Sequence, residues 1–167
     1  MLLGSATPKR YLRSLRDFRH RTRIERIVGQ FAVHFPVIRF DILWSSPTCN
    51  AQAFLLDGHK HVRLYGGLAR HRGLSIAGIA WVMAHETGHH MGGPPLHPHY
   101  FWLSSEERAD EWAAVCGLQS VFGRSLGRRY ATVGRREAKR VAHLKARQGS
   151  EPWDFGSTTR RSSRSSP

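Results

Sequence analysis

The sequence predicts an α+β fold in which a small sheet of three to four strands packs on an apolar helix and on a second helix that follows it. β-branched and aromatic residues form strand-like runs at 37–44, 51–57 and 61–65. An apolar helical segment spans 74–91, and a glutamate-rich helical segment begins near Ser104. With 167 residues the chain is long enough for one domain with a core, and too short for two well-packed domains.

The elements are predicted in this order along the chain. Apolar residues at mostly helical spacing between arginines indicate an amphipathic helix over residues 9–31, ending near Pro36. Three strands follow, and the turn sequence Asp57-Gly58 predicts that the last two form a hairpin. Ser75 is the expected N-cap of the apolar helix, which Gly92 and the residues after it terminate.

Two further helices are predicted after the apolar one. Ser104 with Glu107 three residues later matches a capping box, so the next helix is expected to begin there and to end near Gly123. A basic segment over 134–148 offers few apolar residues for burial, so we expect that helix to be weakly held.

The charge pattern divides the chain into a neutral middle and two basic flanks. The net charge is +14, yet residues 31–119 hold six basic against seven acidic residues. Accordingly, 1–36 is expected to be a basic amphipathic helical segment packed on the core, and 37–123 the core itself. We expect 124–149 to be a basic helical segment and 150–167, rich in Ser and Arg, a disordered tail.

Basic flanks suit anionic partners, of which nucleic acid is one, because rows of cations release condensed counterions on binding. The cysteines Cys49 and Cys116 lie far apart and show no Cys-x-x-Cys spacing, which argues against a disulfide framework or a thiolate zinc site. No signal-peptide-like or transmembrane-length apolar run is present, so we expect a soluble, cytoplasmic protein. The sequence indicates no oligomeric state.

The segment "HETGHH", residues 85–90, has the spacing of a metal site. On a helix, residues four apart share a face, so His85 and His89 can present two imidazoles to one ion. Glu86 points about 100° away, toward the open coordination position. Zinc in such a site lowers the pKa of its water to about 7, and a glutamate beside it can accept the proton.

A third ligand is required, and Glu106 is the better candidate. A helix places Glu106 and Asp110 on one face, so that Glu106 can bind the metal while Asp110 holds the other nitrogen of a ligand histidine. Glu107 competes for this role, but it has a local use as the capping-box partner of Ser104. His97 and His99 are out of register for a third histidine ligand and are separated from the motif by prolines.

These motifs resemble those of a known class of enzymes. His-Glu-x-x-His followed by Glu-x-x-Ala-Asp over 106–110 resembles the gluzincin metallopeptidases. The stretch 49–68 is similar to the N-A-F-A … G-x-V-V … G-L-L segment of the peptidases that include the bacterial heat-shock membrane protease and the CAAX prenyl endopeptidase. The resemblance covers about residues 49–116, and it extends to the minigluzincins, which keep only that soluble core.

The resemblance implies a zincin-like fold and a peptidase activity. It implies that His85, His89 and Glu106 bind Zn²⁺, that Glu86 is the catalytic base and that Asp110 is the carboxylate behind a ligand histidine. It also implies that a peptide or protein substrate adds as a strand to the sheet edge formed by the following residues: Asn50, Ala51, Gln52 and Ala53. The chain departs from the pattern at Gln52, where an aromatic residue is usual, and it lacks the membrane helices of the larger relatives.

Two other functions fit the same residues. Basic flanks could bring a zinc protease to nucleic acid, where it would cleave bound proteins, and zinc could instead be a structural clamp in a non-catalytic regulatory module. The sequence does not select an oxyanion-stabilising residue from four candidates by type: Arg128, Arg129, Tyr130 and His143. His90 follows the second ligand on a different face and is expected to be a partly exposed or hydrogen-bonded surface histidine rather than a substrate contact.

Overall fold

The computed structural model describes residues 6–147, and for residues 145–147 it describes the backbone alone. Within this range the protein is α+β: it contains helices, one sheet of three strands and one sheet of two strands. The fold class predicted from the sequence is confirmed at this level. The tail predicted for residues 150–167 lies outside the described residues.

Helix α1 (Phe18–His34) begins later than the sequence pattern predicted. Asp17 caps it by accepting a hydrogen bond from the His20 backbone N–H, and the segment before it holds only one 3₁₀ turn, Lys9–Tyr11. The buried side of α1 includes Ile24 and Phe31, which belong to the main hydrophobic core.

The three predicted strands are present as β1 (Ile38–Leu43), β2 (Ala51–Leu56) and β3 (His59–Tyr65). The order in the sheet is β1-β3-β2, with β1 parallel and β2 antiparallel to β3. The hairpin predicted at Asp57-Gly58 is confirmed: both residues have positive φ, 50° and 77°, as the tight turn requires.

A short helix, α2 (Gly66–Ala69), leads to the central helix α3 (Ile76–Met91). As predicted, the Ser75 side chain caps α3, and the helix ends at Gly92. Residues 77–90 of α3 are all buried, because α1, β2 and the later helices pack around it.

The sequence did not predict the hairpin of β4 (Leu96–His97) and β5 (Tyr100–Ser104) that follows α3. The capping box predicted at Ser104 is wrong, because Ser104 ends β5 and is buried. Ser105 caps the next helix instead, accepting a hydrogen bond from the Arg108 backbone N–H.

The predicted second helix is one helical run with a π-helical interruption. It consists of α4 (Glu106–Trp112), a π-helical segment (Ala113–Gly117) and α5 (Leu118–Phe122). The π segment is where the ring of Trp112 lies against the backbone of Gly117, which has no side chain to obstruct it. The run ends before Gly123, as the sequence predicted.

Helix α6 (Arg124–Arg147) is longer and better packed than predicted. It packs along α3 and α5, and its buried residues recur at helical spacing: Gly127, Gly134, Ala138 and Val141. The expectation of a weakly held helix was wrong because small residues form most of this face, and an apolar pattern does not count them. Helices pack more closely where glycine and alanine meet. None of the helices in the described part of the chain is long and apolar enough to cross a lipid bilayer.

Candidate metal centre

The three residues of the motif lie on the buried length of α3. His85 is 3% exposed, His89 1% and Glu86 0%. Because the helix advances 100° per residue, His85 and His89 point to one side, where α4 packs, and their rings are 4.8 Å apart. The face shared by the two histidines, predicted from their spacing, is therefore present.

Close packing of α4 on α3 brings Glu106 to the histidines. Gly88 lies between the two histidines in the sequence, and a Cβ added to it would be only 2.8 Å from the carbonyl oxygen of Ala109. The absence of a side chain lets the backbone of α4 approach. As a result, Glu106 Oε2 is 3.2 Å from His85 Nε2, and Glu106 Oε1 is 3.4 Å from His89 Nε2.

The other nitrogen of each histidine is held by a hydrogen-bond acceptor. His85 Nδ1 donates to Asp110 Oδ1 at 2.9 Å, and His89 Nδ1 donates to the backbone carbonyl of Ser104 at 2.9 Å. Since a carboxylate and a carbonyl only accept, both bonds place a proton on Nδ1 and leave Nε2 for a metal. Asp110 is itself held by Arg135 of α6, whose Nη2 is 3.0 Å from Asp110 Oδ2.

The acidic residues create a negative field at this cluster. Burial opposes a charge on His85, but hydrogen bonds to Asp110 and Glu106 together with nearby Glu86 raise the pKa of His85 to about 10. Burial and the charge of His85 lower the pKa of His89 to about 4. Despite burial, the pKa of the Glu106 carboxyl is lowered by the two histidines. The same field that holds a proton on His85 favours a metal cation.

The donor set fits a divalent metal. One ligand atom each from His85, His89 and Glu106 lies within 4.8 Å of the other two, so the group could hold an ion. Among the described residues, neither His89 Nε2 nor Glu106 Oε1 makes a hydrogen bond, although both atoms are buried. Two imidazoles and one carboxylate are a ligand set typical of zinc with a further coordination position open.

A cavity of about 230 Å³ borders the cluster, lined by His85, Glu106 and Asp110 and by residues of α6. The sequence reasoning missed two of these, Arg135 and Lys139. No local pattern indicates either residue, because the position of α6 beside this cavity depends on its tertiary packing on α3 and α5. Glu107, the rejected ligand, is exposed and lines the same cavity.

None of the four sequence candidates for oxyanion stabilisation lines the cavity at the metal cluster. Arg129 and Tyr130 line a different cavity, and Tyr130 packs edge-on against Phe122. Arg128 and His143 are exposed and are not among the residues that line the cavity at the metal cluster.

The predicted substrate edge lies at and just before the start of β2. Within the described residues, β2 is the last strand of the sheet and pairs with β3. Ala51 and Ala53 are buried, on the strand that packs against α3. Gln52 accepts a hydrogen bond from the Tyr65 hydroxyl at 2.7 Å, and the carbonyl of Asn50 accepts from the Tyr65 backbone N–H.

His90 differs in part from expectation. It is hydrogen-bonded, but it is buried rather than at the surface: its Nε2 donates to the His61 carbonyl, and its ring stacks on Trp102. Burial lowers the pKa of His90 to about 4, so this histidine is neutral at pH 7. His90 therefore connects α3 to β3 through the hydrogen bond and to β5 through the ring contact, which is a packing role.

The fold and the cluster together define an α+β protein in which two helices present a His-His-Glu group that could hold a metal ion. Comparison with protein families, with curated protein sequences and with solved structures found no match to this chain.

Proposed function

We propose that this protein is a zinc-dependent metallopeptidase of the gluzincin type, with a zincin-like core. The observation that carries the proposal is the convergence of His85, His89 and Glu106 beside a fully buried Glu86. A purely structural zinc site does not need a base beside an open coordination position, whereas hydrolysis does.

In the proposed site, the His-His-Glu group would hold the zinc, and Asp110 and the Ser104 carbonyl would keep the two imidazoles in the binding tautomer. Zinc would supply Lewis acidity at the scissile carbonyl and at water. Glu86 accepts the proton of the attacking water and returns it to the leaving amine.

The substrate proposed here is an extended peptide. The peptide would bind along the outer edge of β2 as an added strand through backbone hydrogen bonds, which hold the chain without selecting its sequence. Asn50 and residues 51–53 would form this edge. We further propose that the activity belongs to the cytoplasm, since Cys49 and Cys116 are both free thiols.

The test is cleavage of unstructured labelled casein by purified zinc-loaded protein and by its Glu86→Gln variant. We expect the variant to bind zinc normally and to lose at least about a thousandfold in cleavage rate, because glutamine has the same shape but cannot accept a proton. Glu25→Gln removes the same charge from an exposed ion pair on α1 and should leave cleavage unchanged.

Two results would count against the proposal. Undiminished cleavage by Glu86→Gln would remove Glu86 as the base. Zinc binding without cleavage by the wild type, on casein and on a library of random peptides, would favour the structural clamp instead.

A further inference from the structure

A second cavity, of about 680 Å³, lies between α1, the start of α3 and α6. It shares no lining residue with the cavity at the metal cluster. Its volume falls within the range of about 300–1,000 Å³ found for small-molecule sites.

The lining of this cavity is strongly basic. Four arginines contribute to it: Arg13, Arg19, Arg23 and Arg129. The only acidic residue in the lining is Asp17, whose carboxylate is used to cap α1.

The four cavity arginines have no acidic partner among the described residues. Four arginines outside the cavity pair with carboxylates at 2.6–3.0 Å, for example Arg63 with Asp41 and Arg108 with Glu111. No ion pair joins the four cavity arginines to an acid within residues 6–147. Arg13 Nε is moreover buried without a hydrogen-bond partner there. Concentrated, uncompensated guanidinium groups in a concave site are suited to phosphate.

The backbone N–H groups of Ser75, Ala77 and Gly78 at the start of α3 already have hydrogen-bond acceptors, so they do not form an anion site by themselves. Ser75 accepts hydrogen bonds from the N–H groups of Ala77 and Gly78, and Glu137 accepts from both the backbone N–H and the hydroxyl of Ser75. The arginine side chains are therefore the groups available for recognition.

The remaining lining is mostly apolar. Leu74, Ile76 and Val133 contribute to it, with Tyr130 beside them. Such a surface suits an uncharged planar or apolar group better than a second phosphate. His20 also lines the cavity, but its Nε2 is engaged with the Ala69 carbonyl.

We propose that this cavity binds a nucleotide, with its phosphates on the arginines and its base on the apolar residues. The site is separate from the proposed peptidase centre and does not depend on it.

The test is isothermal titration of the full chain with ATP, and with tripolyphosphate as the phosphate-only probe. Arg23→Gln combined with Arg129→Gln should raise the Kd for ATP at least about tenfold, because two charge-assisted contacts are lost. The matched control is Arg26→Gln combined with Arg136→Gln, which removes the same charge from exposed positions of α1 and α6 outside the cavity and should change the Kd less than about twofold. All four positions are exposed, so folding should be retained.

Saturable binding of one ATP per chain, weakened selectively by the cavity pair, supports the proposal. It is overturned if the wild type shows no saturable binding, or if tripolyphosphate binds as tightly as ATP. It is also overturned if both pairs weaken binding equally, which is the result expected of a diffuse basic surface that attracts nucleic acid. Glu106→Gln should bind ATP like the wild type. A failure of the proposed metallopeptidase function can therefore be distinguished from a failure of the proposed nucleotide site.

Discussion

At the scale of single residues, the candidate centre depends on which histidine nitrogen faces Glu106. The spacing of His85 and His89 predicts a shared face because the helical period is fixed. It does not predict the acceptor behind His89, because the Ser104 carbonyl is brought there by a hairpin that the sequence pattern did not indicate. Glu106 was preferred to Glu107 partly because Glu107 was assigned to a capping box with Ser104, and that capping box is wrong. The sounder reason was that Asp110 lies four residues after Glu106, where it accepts a hydrogen bond from His85.

Asp110→Ala should weaken zinc binding about 10- to 100-fold, because His85 loses the acceptor that orients its ring and raises its basicity. The Kd can be measured by competition with a chromophoric chelator. Glu111→Ala, at the adjacent exposed position, is the control and should bind zinc like the wild type. Equal affinity for Asp110→Ala and the wild type would mean that Asp110 does not support the site.

A pH-dependent contribution to stability is expected from His71. Burial lowers the pKa of His71, and its Nδ1 accepts a hydrogen bond from the Gly73 N–H, which requires the neutral ring. The unfolded chain therefore takes up a proton near pH 6.5 that the folded chain resists, so the free energy of unfolding decreases as the pH falls below about 6.5.

His71→Asn keeps an acceptor near Nδ1 but does not titrate, so its free energy of unfolding should fall less between pH 7.5 and 5.5. Urea denaturation of both chains, in the presence of a chelator, measures the difference. Parallel pH profiles for the two chains would exclude His71 as a source of the dependence.

At the scale of elements, the crossing of α3 and α4 at Gly88 decides whether Glu106 reaches the histidines. A residue pattern predicts that two helices exist, but their separation depends on which small residues meet at the crossing. The packing of α6 was not predicted for the same reason. Its buried face includes Gly127, Gly134 and Ala138, which a search for large apolar residues does not detect, yet this helix packs along α3.

Gly88→Ala should destabilise the fold by about 1–3 kcal/mol and weaken zinc binding, because the added methyl would lie 2.8 Å from the Ala109 carbonyl and push α4 away. Thermal unfolding and zinc titration measure the two effects. Gly29→Ala is the matched control: it is a helical glycine whose added Cβ meets nothing within 4 Å, so it should be neutral or stabilising by up to about 1 kcal/mol. Wild-type zinc affinity in Gly88→Ala would show that close approach of α4 is not needed.

At the scale of the whole molecule, the described parts of the two basic flanks contain α1 and α6, which both line the cavity at the start of α3. Their arginines thus enclose a cavity that the linear charge pattern could not predict. The α+β class and a sheet of three to four strands were predictable from the helical periods and from the runs of β-branched and aromatic residues, and the larger sheet has three strands. The packing of α6 was not predictable from the sequence. The Asp110–Arg135 pair that depends on this packing was not predictable either, because it joins residues 25 apart through tertiary contacts.

The central claim is that α3 and α4 together hold one zinc ion through His85, His89 and Glu106. The most direct measurement is zinc per chain by elemental analysis after dialysis, for the wild type, Glu106→Gln and Glu107→Gln. The account predicts one zinc in the wild type and in Glu107→Gln, and loss of most of it in Glu106→Gln. No zinc in the wild type, or equal zinc in all three chains, would contradict it.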